Sequence, residues 1–122
     1  MKSITVEELK QRREDRAPHV LLDVRELGEM RAAAISGSLN IPMNEVVQRF
    51  AELPKDREIV VMCVKGGRSA KITALLNAKG FPKAVNLEGG IEAWARRVDP
   101  GVSASGPSLG SLWKMLLPSR KR

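Results

Sequence analysis

The chain has 122 residues, 43% of them hydrophobic, which is enough for one domain with a modest core and too little for two. Its formal net charge of +7 favours anionic partners, but the basic residues are spread over predicted helices as well as the tail. With two Phe, two Trp and no Tyr there is little to stack bases on, so direct nucleic-acid binding is not expected. One Cys and one His supply neither a structural zinc site nor a disulfide, and no stretch is long enough to span a bilayer; the start Met1 to Glu8 reads as no signal segment, and the expected setting is the cytoplasm.

Ser3-Ile4 opens a short strand, and Thr5-Val-Glu-Glu8 reads as a capping box leading a helix to about Glu14. His19 comes just before the strand Val20 to Val24, at the end of the sheet where open parallel sheets do not form sites, so it is expected at the surface and not as a base. That strand is almost continuously apolar, as strands are when helices cover both faces of a sheet. At its exit Asp23 and Arg25 alternate onto one side, with Asp23 set to accept hydrogen bonds from loop amides and Arg25 to pair with an acid.

Helices are predicted near Glu26 to Ala33, Met43 to Leu53 and Arg68 to Lys79, the last closed by Gly80, and strands over Leu39 to Ile41, Ile59 to Cys63 and Ala84 to Leu87. Helical spacing sets Ile72, Leu75 and Leu76 against the sheet. Gly89-Gly90 reads as a turn into a last helix, Ile91 to Arg97, in which Trp94 packs. The alternation implies an α/β fold with a central, mostly parallel sheet flanked by helices on both faces.

The segment richest in chemistry is Cys63-Val-Lys-Gly-Gly-Arg-Ser69. A lone thiol at the C-terminal end of a buried strand, entering a Gly-rich basic turn before a helix, is placed to hold a sulfur anion, because helix N-terminal amides and nearby cations favour the thiolate. Lys65 and Arg68 supply the cations; Gly66 and Gly67 permit the curvature that turns successive amides into a nest. Cys63 as a small buried hydrophobe is the competing reading, and the strand, turn and helix around it argue for a nucleophile. The glycines match neither a phosphate P-loop nor a dinucleotide fingerprint, and no cofactor is expected.

Four stretches together resemble the rhodanese, or sulfurtransferase, family: Leu21-Leu-Asp-Val-Arg25, Ile35-Ser-Gly-Ser-Leu-Asn-Ile-Pro42, the Cys63 to Ser69 loop, and Asn86-Leu-Glu-Gly-Gly-Ile-Glu-Ala-Trp94, in the family's order over about residues 3 to 97. The resemblance implies a single rhodanese domain whose Cys63 cycles between thiol and persulfide. The loop amides from Val64 to Ser69 would cradle the persulfide, the basic side chains would steer a small anionic donor such as thiosulfate, and Asp23 and Arg25 would be structural. It also implies a choice between an enzyme passing sulfur to a small thiophile and a persulfide carrier serving a protein partner in cofactor biosynthesis or tRNA thiolation. Ala33-Ala34-Ile35 departs from the family's common Gly-His-Ile, which puts a local hydrogen bond in doubt and leaves that turn to apolar packing.

A cysteine phosphatase is the weaker rival. Only Val64, Lys65, Gly66 and Gly67 separate Cys63 from Arg68, one residue fewer than a phosphate loop uses, and no acid stands in or beside the loop to protonate a leaving group. Beyond the domain, placed at residues 1 to 98, a Pro/Gly/Ser linker leads to an apolar segment, Leu109 to Pro118, and a basic end, Ser119 to Arg122. Residues 109 to 122 suit docking to a partner or an anionic membrane surface; folding back onto the domain, or disorder, fits equally well.

Overall fold

The computed structural model describes residues 1–102. Five strands form one sheet: β1 (Ser3–Ile4), β2 (His19–Asp23), β3 (Leu39–Asn40), β4 (Glu58–Met62) and β5 (Ala84–Leu87). Every pairing is parallel, in the order β1-β5-β4-β2-β3, so all strands end on the same edge. Among the described residues, four α-helices lie in the connections, α1 (Val6–Glu14), α2 (Leu27–Ala32), α3 (Val46–Arg49) and α4 (Gly67–Ala78), and a fifth, α5 (Gly90–Arg97), follows β5.

The capping box that starts α1 forms as the sequence predicts: Thr5 Oγ1 accepts from the Glu8 amide at 3.1 Å and Glu8 returns a bond to the Thr5 amide at 2.8 Å. The predicted helix over Met43 to Leu53 is instead broken into α3 between two 3-10 turns, Met43–Glu45 and Phe50–Glu52. Val46 must reach the core just after Pro42 has fixed the chain direction, and tight turns at both ends give a short segment that reach. The strands β2 and β4 each stop one residue earlier than expected, which leaves Cys63 just past β4 rather than within it.

Period-two alternation along the strands divides the core. Leu21, Val60, Met62, Val85 and Leu87 pack with α1 and α5, around Val6, Leu9, Ile91 and Trp94. Leu22, Ile59, Val61, Cys63 and Ala84 face the opposite side, where Ile72 and Leu76 of α4 are buried and Leu75 is half-buried at the margin. Cys63 therefore projects toward α4. On the other face, Val98 and Val102 pack partly buried against the Trp94 cluster, so packing continues into residues read as linker. Residues 109–122 lie outside the described residues.

Asp23 and Arg25 are fully buried and bind each other. Arg25 donates from Nε to Asp23 Oδ1 at 2.9 Å and from Nη2 to Oδ2 at 2.7 Å, and the Arg25 amide donates to Oδ1 at 3.0 Å. Thus the acid that Arg25 pairs with is its own neighbour, and the amide Asp23 accepts from is that of Arg25. Arg25 Nη2 also reaches the Ala33 carbonyl at 2.6 Å, so the Ala33-Ala34-Ile35 turn is held by a charge-assisted bond in addition to buried Ile35. Asp23→Ala strands a buried guanidinium; chemical denaturation should show a loss of about 3–5 kcal/mol, and a loss under 1 kcal/mol would mean that the pair is solvated.

Candidate active site

Cys63 leaves β4 at the sheet's C-terminal edge and its side chain is 2% exposed. The chain then turns through Gly66, which caps α4 in the left-handed region with φ 106°, a conformation that glycine adopts without strain. This turn directs amides back at the sulfur: Gly66 N–H lies 3.1 Å and Ser69 N–H 3.4 Å from Sγ, while Ser69 Oγ is 3.3 Å away. The sulfur thus sits at the positive end of the twelve-residue helix α4.

Burial pushes the Cys63 thiol up, but hydrogen bonds from Ser69, Gly66 and the Lys65 amide outweigh it and hold the thiol below its ordinary range. The Ser69 hydroxyl has one proton, and its shorter contact is to Asn86 Oδ1 at 2.6 Å. That hydroxyl is therefore shared between the sulfur and Asn86, whereas the Gly66 and Ser69 amides are aimed at the sulfur.

The loop's outer contacts are equally specific. The first turn of α5 abuts its backbone, with Ile91 N–H donating to the Cys63 carbonyl at 2.9 Å and Glu92 N–H to the Val64 carbonyl at 3.0 Å. Gly90 makes this approach feasible: a Cβ there would collide with both of those carbonyls. Across the sheet, Asn86 of β5 binds Ser69 through Oδ1 and the Gly66 carbonyl through Nδ2, the latter at 3.4 Å.

Of the residues singled out in the sequence, Cys63, Gly66 and Ser69 converge on the sulfur, with the Lys65 amide contributing. Val64 serves through its carbonyl, and Gly67 begins α4 in the open. Arg68 points elsewhere: it forms a two-pronged pair with Glu29 of α2, at 2.9 and 3.0 Å. Lys65 is exposed and enters no ion pair, which leaves it as the loop's free cation among the described residues. Asp23 and Arg25 form their own buried pair, and partly buried His19 holds the Ala17 carbonyl at the opposite end of β2.

Glu29, Asn86 and Gly90 were not predicted as site residues. Glu29 is the acid absent from the loop's sequence neighbourhood, yet the Arg68 guanidinium holds its carboxyl below the usual range, so it stays ionised and has no proton to give near neutral pH. Beside the loop, Met43, Val47, Ile72, Leu75, Arg68 and Lys71 are among the residues lining a groove of about 500 Å³.

A rhodanese-like domain profile matches residues 5–97. The chain belongs to the rhodanese-like family. A sulfurtransferase of Allochromatium vinosum is 39% identical over 103 residues, covering 84% of this chain and 96% of its own length. The adenylyltransferase and sulfurtransferase MOCS3-1 of Zea mays is 38% identical over 80% of this rhodanese-like chain, which spans only 22% of the maize protein. The crystal structure of a rhodanese-related protein from Thermoplasma volcanium superposes with a TM-score of 0.76 at 32% identity, covering 85% of this chain and 99% of that one.

Proposed function

We propose that this rhodanese-like domain is a sulfurtransferase that carries sulfane sulfur on Cys63. The observation that supports it best is the convergence of the Gly66 and Ser69 amides on Sγ at the N-terminus of α4. The Cys63 thiolate attacks the outer sulfur of thiosulfate or a small persulfide; a new S–S bond forms, the donor's S–S bond breaks, and sulfite or the donor thiolate departs with the electron pair. The resulting persulfide carries one negative charge on its terminal sulfur, for which the loop amides are the donors. An acceptor such as cyanide or a thiolate then attacks that sulfur, and Cys63 leaves as the thiolate. The cycle balances without metal or redox partner.

A persulfide carrier is the second reading, supported by the maize relative, in which the matching region is part of a longer adenylyltransferase and sulfurtransferase. Sulfur would then pass to a partner protein in cofactor biosynthesis or tRNA thiolation, and residues 109–122 are a candidate docking segment. Phosphatase chemistry draws less support, because Arg68 is committed to Glu29 and Glu29 is ionised.

Intact mass after incubation with thiosulfate, together with thiocyanate release on adding cyanide, tests the reading. A gain of one sulfur with rapid turnover supports the enzyme, and loading without turnover supports the carrier. No loading from thiosulfate or glutathione persulfide would sink both. Since Lys65 is the loop's unpaired cation, Lys65→Ala should raise the KM for thiosulfate about 3- to 10-fold with little change in kcat. An unchanged KM would remove Lys65 from donor capture.

A further inference from the structure

Ser69 Oγ stands between two acceptors, Cys63 Sγ at 3.3 Å and Asn86 Oδ1 at 2.6 Å, and has one proton to give. Asn86 is 7% exposed and its orientation is set from both ends, because Nδ2 faces the Gly66 carbonyl. An amide turned that way presents only its oxygen to Ser69. The hydroxyl proton therefore points to Asn86, and the oxygen lone pairs face the sulfur.

We propose that Asn86 is a positioning residue for the Cys63 nucleophile: it competes with the sulfur for the Ser69 hydroxyl proton, so that the backbone amides carry most of the thiolate's stabilisation. The thiol form then has a continuous chain, with S–H donating to Ser69 Oγ and Ser69 O–H donating to Asn86 Oδ1. In the thiolate form the amides remain while Asn86 still competes for the hydroxyl proton. The sulfur stays more basic than it would with a third, hydroxyl donor, and a more basic thiolate attacks sulfur faster. This rests on the reading of Cys63 as the nucleophile.

The charged groups around the site act on the sulfur at most through space, Arg68 being the one that feels the Cys63 charge. Arg68 of α4 is tied to Glu29 of α2, Lys65 extends from the loop into solvent, Asp23 and Arg25 at the exit of β2 satisfy each other, and Glu88 and Glu92 flank the start of α5. Among the described residues, no charged side chain hydrogen-bonds to Cys63, Ser69 or the Asn86 side chain.

The test is the pH midpoint of Cys63 alkylation by iodoacetamide, which reads the thiol without any sulfur donor. Asn86→Ala frees the hydroxyl to donate to sulfur and should lower the midpoint by about 1 pH unit; adding Ser69→Ala should reverse that fall. Asn86→Asp keeps the side chain's volume, exchanges Nδ2 for an oxygen and adds both a stronger acceptor for the hydroxyl and a negative charge near the sulfur, so its midpoint should rise by about 1 pH unit, and adding Ser69→Ala should remove the part of that rise that passes through the hydroxyl. At pH values where Cys63 is fully ionised, Asn86→Ala should load sulfur roughly threefold more slowly than the wild type.

A midpoint in Asn86→Ala that is unchanged or raised, or a fall that survives Ser69→Ala, would overturn the proposal. So would an unshifted or lowered midpoint in Asn86→Asp, which retains side-chain volume if the alanine variant unfolds. If the midpoints move as expected while thiosulfate fails to load, this inference stands and the sulfurtransferase reading falls.

Discussion

Cys63→Ser should lose sulfur loading entirely, with no added mass after thiosulfate and no thiocyanate release above background, while folding persists. The side chain is 2% exposed and its neighbours are donors that a hydroxyl oxygen accepts from as readily as sulfur does, so the stability cost should be only about 1 kcal/mol. Chemistry separates the two atoms: a serine hydroxyl does not ionise near neutral pH, and the O–S bond it would form is no equivalent of a persulfide. In the wild type the loading rate should climb as the thiol ionises and level off above the Cys63 pKa. Because that pKa is depressed, the plateau begins at a lower pH than it would for an ordinary cysteine. Residual loading in Cys63→Ser would move the nucleophile elsewhere, and a plateau that came no earlier than an ordinary cysteine's would contradict the donor nest.

How far the sequence reveals this site depends on whether the relevant physics is local. The thiol, the left-handed Gly66 turn and the start of the helix that follows lie within seven consecutive residues, so the anion nest could be anticipated from spacing alone. The parallel sheet was legible for a similar reason, since apolar runs alternate with helical periodicity. Arg68 shows the limit: its charge suggested anion binding, yet Glu29, which claims it, stands 39 positions earlier and reaches it only once α2 folds against the start of α4. Asn86 enters the site because Val61 of β4 registers with it across the sheet, a pairing that no local pattern encodes. The Met43 to Leu53 region misled because its composition suits a helix, while the tertiary demand to bury Val46, Leu53 and Ile41 from one short crossover favoured tighter turns.

Gly90→Ala should be the most damaging single methyl in the described part of the molecule. Gly90 has φ 58°, where an alanine costs about 1–2 kcal/mol. Its new Cβ would also press on the Cys63 and Val64 carbonyls, which are backbone and cannot swing aside; overpacking of this kind costs about 1–3 kcal/mol. Relief requires α5 to retreat, and retreat breaks the Ile91 and Glu92 amide bonds that hold the loop carbonyls. The combined loss of roughly 3 kcal/mol in a domain of this size should lower Tm by about 10–20 °C, and loading should fall at temperatures where the fold survives, because the shifted loop no longer aims its amides at Sγ. Gly28→Ala is the matched control: it sits exposed in α2 with open space around its Cβ, and should be neutral or stabilising by up to about 1 kcal/mol. If both substitutions gave the same Tm and loading, the seat of α5 on the Cys63 and Val64 carbonyls would not be what shapes the loop.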